Sequence, residues 1–212
     1  MAARTPLEAR IEPLFATGLY RARLPRCAMA LNAALEKTCR AIAAEDRAGR
    51  RWSKEHDYRG YTSYASLDDL TTRASVFAEL ETHLDRHARA FARALDFDVD
   101  VRRLALDSLW INVLKPGGHH TAHIHPHAAI SGTYYVSVLK GASAIRYEDP
   151  RLPMMMAAPP RRAKARRENL SFVDVAPTAG TILMWESWLR HEVPLNKAKA
   201  ERISISFNYA VR

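Results

Sequence analysis

The stretch Arg202-Ile203-Ser204-Ile205-Ser206-Phe207-Asn208-Tyr209-Ala210-Val211, RISISFNYAV, decides how the chain is read. Arg202, Ser204 and Ser206 alternate with Ile203, Ile205 and Phe207. That is the two-residue period of a β-strand and not the 3.6-residue period of a helix. One face is therefore apolar and suited to a core. The other is polar, and either meets water or lines a site. Its lead residue, Arg202, has the planar fork that binds a carboxylate through two parallel bonds.

Other β-rich runs precede it, at 104–114 (LALDSLWINVL), 129–139, 143–147, 170–175 and 181–185, with Pro and Gly between them. Such punctuation fits an antiparallel sandwich or barrel. The first half of the chain differs. After an extended lead-in at 11–24, which Pro13 and Gly18 confine to a sheet edge, the spacing turns helical from Arg26 to Arg51. Met29, Leu31, Leu35, Cys39 and Ile42 share one face there. A second helix begins after Ser66, with Asp69 completing a capping box. Leu70, Phe77, Leu80, Leu84, Phe91 and Leu95 form its buried stripe. His83 and His87 lie one turn apart on it, but no third ligand is near, and they read as surface residues. The expected architecture is α+β: a helical layer at about 26–98 outside a β-barrel core at about 100–212, in one domain spanning 1–212.

The chemistry concentrates in Gly118–His127, GHHTAHIHPH, which holds five of the nine histidines. In extended backbone His123 and His125 project from one face, with Cα atoms roughly 6–7 Å apart, close enough to share an ion. His119, His120 and His127 are less constrained and read as polar loop residues. In the C-terminal third the one histidine is His191, and Arg202 follows it by eleven positions.

Together these features resemble the iron(II)- and 2-oxoglutarate-dependent oxygenase superfamily, and in particular an uncharacterised bacterial subfamily of it. HIH at 123–125 stands where the family's proximal ligand pair lies, and His191 stands at the distal histidine. Arg202-Ile203-Ser204 matches the co-substrate motif, and WINVLKPGG (110–118) and SGTYYVSVL (131–139) are similar to strands of the core. The resemblance covers about residues 105–210. It implies a double-stranded β-helix, or jelly roll, with Fe(II) held by His123, His125 and His191. It also implies 2-oxoglutarate as co-substrate, bound by Arg202 with Ser204 and Asn112. The implied reaction is a C–H oxidation coupled to decarboxylation of 2-oxoglutarate to succinate, on a substrate that motif residues do not specify.

One departure is visible. His125 occupies the position of the family's usual carboxylate, so the expected site has three neutral imidazoles and is one unit more positive. Glu148, Asp149 and Glu186 lack the spacing to replace it. Trp185, Trp188 and Tyr135 are candidate cavity linings. A cupin-like three-histidine dioxygenase that needs no 2-oxoglutarate is the first alternative.

The formal charge of +9 raises a second alternative, a basic nucleic-acid-binding module, although no zinc-finger, helix-turn-helix or RNA-recognition signature is present. Arg161, Arg162, Lys164, Arg166 and Arg167 form a basic run that reads as a solvated or an anion-contacting loop. It lies within 146–169, the expected lid over the site, together with Met154, Met155 and Met156. No run approaches the length of a membrane span. The first fifteen residues lack an apolar signal core, and Cys27 and Cys39 match no metal or redox spacing. A cytoplasmic protein with reduced thiols is expected. An edge strand would allow a homodimer.

Overall fold

The computed structural model describes residues 10–25 and 28–212. Cys27 and the side chain of Met29 lie outside the described residues. The chain combines helices with two antiparallel sheets. The first half contains β1 (Leu19–Arg23), α1 (Met29–Glu45), α2 (Arg47–Glu55), β2 (Gly60–Thr62), α3 (Leu70–Arg73) and α4 (Ser75–Ala94). The second half contains β3 (Leu104–Leu114), β4 (His120–His123), β5 (Ile130–Ser137), β6 (Ile145–Glu148), β7 (Phe172–Val175), β8 (Thr181–Glu186), β9 (His191–Val193) and β10 (Arg202–Val211). Six strands form the larger sheet in the order β1-β8-β5-β10-β3-β2, and four form the smaller, β4-β9-β6-β7.

Alternation explains how the larger sheet is used. Ile111, Val113, Tyr134, Val136, Ile182, Met184, Ile203, Ile205 and Phe207 meet Leu31, Leu35 and Cys39 of α1 and Phe77, Leu80 and Leu84 of α4 in one buried core. On the opposite face, Tyr135, Leu183 and Trp185 pack with Ile145, Tyr147 and Val175 of the smaller sheet and with Leu189. Strand β10 lies between β5 and β3, where both edges are paired. Gly132, on β5 beside it, is needed for close approach: a Cβ there would stand 2.4 Å from the Phe207 ring and 2.6 Å from the Leu183 carbonyl oxygen.

The expected helix at 26–51 is two helices. Asp46 breaks it by accepting a 3.0 Å bond from the Gly49 amide, which caps α2. The expected capping box does not form. Ser66 donates to the Asp46 carboxylate at 2.6 Å, Asp69 pairs with Arg73, and α4 starts at Ser75 after Ala74 without a side-chain cap. Strands β2, β4 and β9, of three to four residues each, are not marked by sequence pattern because so few positions carry no readable period. The lead-in strand β1 is at the sheet edge, as Pro13 and Gly18 suggest. Met154 and Met156 are exposed and belong to no core. Among the described residues, no helix is long and apolar enough to cross a membrane.

Candidate metal centre

Strand pairing brings the late histidine to the early one. His123 and His191 are direct cross-strand partners between β4 and β9, and His191 also faces Tyr147 on β6. His125 lies just past the end of β4, where its amide donates to the Ser187 carbonyl at 3.0 Å. That bond returns its ring to the others, with centroids 5.1 Å from His123 and 5.2 Å from His191. One nitrogen from each ring can be chosen so that all three lie within 4.8 Å of one another. No carboxylate joins this group among the described residues. Glu148 pairs with Arg190, and Asp149 with Arg151.

The donor chemistry fits a cation. The Nδ1 of His123 is 2.6 Å from the Thr121 carbonyl, and the Nδ1 of His191 is 2.9 Å from the Leu189 carbonyl. A carbonyl oxygen only accepts, so Nδ1 carries the proton in both rings. In the neutral imidazole Nε2 then keeps its lone pair, the arrangement that metal-binding histidines use. The Nε2 of His125 is buried and has no hydrogen-bond partner, which is costly unless a ligand satisfies it. Burial pushes the His191 imidazole down to about 3 and that of His125 to about 4, with the neighbouring histidines adding to the effect. Both are therefore neutral donors at pH 7. Trp185 meets His191 edge to face at 4.7 Å, and Trp110 stacks on His125 at 5.9 Å, fixing both rings.

These rings line a cavity of about 510 Å³ that also contains Asn112, Arg202 and Ser204. Arg202 is only 3 % exposed. Its Nη1 donates to the Ser143 carbonyl at 3.0 Å, its carbon lies 5.6 Å from the Tyr135 ring centre, and its Nε has no partner. No acidic side chain of the described residues lies within ion-pair distance. A buried guanidinium with a free donor is costly, and an anion beside it would offset that cost. Ser204 is buried opposite Asn112 in the β10–β3 register. Asn112 accepts from Thr62 and donates to Ser206, both at 3.0 Å, so both ends of its amide are already engaged.

Three further placements differ from the sequence reading. His120 is no plain loop residue: it lies in β4, lines the cavity and is 3.0 Å from the Tyr58 hydroxyl. Burial, helped by the Arg202 charge, pushes it down to about 3. Trp188 is half exposed and does not line the cavity, whereas Trp185 and Tyr135 do. Trp52, Tyr58, Thr62 and Tyr64 reach it from the helical half, where no motif marks them. His87 bonds the Tyr20 hydroxyl at 2.9 Å and joins no metal group among the described residues. Asn196 is a positioning residue the sequence did not flag. It is buried, and its amide donates to the carbonyls of Leu114, Lys115 and Ala200, which fastens the β9–β10 connection to the end of β3.

Residues 108–208 match the model of the family described as "Putative 2OG-Fe(II) oxygenase". That segment contains Asn112, the three histidines, Arg202 and Ser204, and it is the part of the chain in which the resemblance to the iron(II)- and 2-oxoglutarate-dependent oxygenases was read. The solved structures it is similar to include a prolyl-4-hydroxylase of Pseudomonas putida (18 % identity, TM-score 0.59, covering 92 % of this chain and 93 % of that one). Another is HygX of Streptomyces hygroscopicus, with nickel and 2-oxoglutarate bound (16 %, 0.60, 92 % and 83 %). A third is the epimerase SnoN of nogalamycin biosynthesis, with Fe3+, alpha ketoglutarate and nogalamycin RO (14 %, 0.61, 92 % and 79 %). At these identities the likeness is one of fold. No curated protein matches the sequence.

Proposed function

We propose that the protein is an Fe(II)- and 2-oxoglutarate-dependent dioxygenase whose two sheets form the jelly roll of that superfamily. His123, His125 and His191 hold the iron, and Arg202, with Ser204, holds the far carboxylate of 2-oxoglutarate. The observation that carries this reading is the pairing, in one cavity, of three converging imidazoles with a buried Arg202 that has no acidic partner among the described residues. The metal and 2-oxoglutarate in the HygX and SnoN structures support it.

The residues divide the work. His123 and His191 offer Nε2 to the shared position because their Nδ1–H groups donate to the backbone carbonyls of Thr121 and Leu189. A three-imidazole set suits Fe²⁺ but leaves the full divalent charge uncompensated, which a doubly anionic co-substrate offsets. When bound, the iron and 2-oxoglutarate would supply oxidation of a C–H bond with O2 as the oxidant, one oxygen atom going to the product and one to succinate, with release of CO2. Tyr135 backs the Arg202 guanidinium, and Trp185 and Trp110 exclude water from two sides of the imidazoles. Arg202 also separates this reading from a cupin-like dioxygenase, which has no use for a buried cation at that place.

The test is succinate formation from 2-oxoglutarate by tag-free protein, dependent on added Fe²⁺. His123→Ala is expected to lower metal binding and succinate formation by at least about 100-fold, from loss of one of three ligands. Full turnover in that variant would refute the assignment.

A further inference from the structure

We infer that the substrate presents a planar, uncharged ring to the cavity mouth, an inference that rests on the oxygenase reading above. A series of aromatic side chains runs outward from the metal ligands. Trp110 stacks on His125 at 5.9 Å with an interplanar angle of 26°. Tyr64 meets Trp110 nearly edge to face at 5.4 Å and 70°, and Trp52 lies 6.4 Å from Tyr64. All three line the same cavity. Trp110 is buried and Tyr64, the next ring outward, is 63 % exposed, so these two pass from the imidazoles to solvent, with the partly buried Trp52 beside Tyr64.

A buried Trp110 is accounted for by packing. An exposed Tyr64 is not: its ring faces water at the rim, where Ile124 is exposed as well. Apolar area held open at the entrance of a site is a place for a ligand to cover. The electrostatics then narrow the class. No Asp or Glu lines the cavity among the described residues, and its one permanently charged side chain is Arg202, which the co-substrate engages. A cationic substrate would find no counter-ion and would be repelled by Arg202 and the metal. A further anion would compete with 2-oxoglutarate. Dispersion, ring stacking and neutral hydrogen bonds remain, which a flat neutral ring uses best. Trp52 and Tyr64 fall outside the matched segment 108–208, so this wall is supplied by the helical half and not by the residues that hold the metal.

The test uses calorimetric titration of the full chain, with and without Zn²⁺ and 2-oxoglutarate, with three probes: indole, cyclohexanol and tryptamine. Indole is expected to bind roughly three- to tenfold more tightly than cyclohexanol, the margin of one aromatic pair, and more tightly than the cationic tryptamine. Tyr64→Leu, at an exposed position that folding tolerates, is expected to remove most of that margin while the Zn²⁺ stoichiometry stays unchanged. Equal affinity for indole and cyclohexanol, preference for tryptamine, or an unaltered margin in Tyr64→Leu would each overturn the inference. Because the metal-free arm reads ring binding alone, a protein that binds indole but neither Zn²⁺ nor 2-oxoglutarate would instead refute the oxygenase reading.

Discussion

The two faces of strand β10 show what the molecule is built to do. Ile203, Ile205, Phe207 and Tyr209 enter the core beneath α1 and α4, where each is fully buried. Arg202, Ser204, Ser206 and Asn208, one position out of phase, line the cavity. The first face buries apolar area and holds the helices to the sheet. The second buries polar groups that cost stability unless something satisfies them. A strand paired on both edges supports this because its backbone is fixed by the ladder, so the polar face need not stabilise itself.

That contrast can be broken experimentally. The largest effect is expected from Phe207→Ala, which leaves a void in the core between the larger sheet and the helices and should cost about 3–5 kcal/mol of stability. Ser204→Ala, on the opposite face, should change denaturant stability by less than about 0.5 kcal/mol. Comparable losses in the two variants would mean that the faces are not divided as described. Next, Arg202→Lys keeps the charge but loses the guanidinium fork. The half-saturating 2-oxoglutarate concentration should rise about tenfold or more, with little change in melting temperature. A variant with unchanged 2-oxoglutarate dependence would remove Arg202 from the site.

Acid offers a subtler probe of the polar face. His120, His125 and His191 have folded-state values of about 3, 4 and 3, below the roughly 6.5 of an unfolded histidine. Between those limits the unfolded chain binds more protons than the folded one. Stability of the metal-free protein is therefore full above about pH 6.5 and falls progressively toward about pH 4. Thermal melts across that interval check it, and a melting temperature flat from pH 7 to pH 4.5 would contradict the burial of these rings. A smaller loss than that of Phe207→Ala is expected from Tyr58→Phe, which takes the partner from His120 Nε2 and should cost about 1 kcal/mol. Measured together with His120→Ala in a double-mutant cycle, it isolates that bond.

Much of this was legible in the residues. The alternation in 202–211 marked both faces of β10, and the bounds of β3 and β10 were read without error because ten or more positions give a clear period. The spacing of His123, His125, His191 and Arg202 identified the family that residues 108–208 match. Less was legible where elements are short or where one side chain controls a boundary. Asp46 divides a helix by a bond to Gly49, a boundary set by one side chain. His120 read as a loop residue because its partner, Tyr58, is 62 positions away in sequence.

The sequence by itself determined the periods, the apolar stripes and the donor atoms available. Those are local properties, fixed by the side chain and its neighbours along the backbone. The tertiary structure alone decided that the polar face of β10 meets a cavity and not water. It also decided that His191 is the cross-strand partner of His123, and that Trp52 and Tyr64 stand at the entrance. The reason is physical: burial, pairing and convergence on one point depend on which distant segments pack together, and no local pattern carries that information.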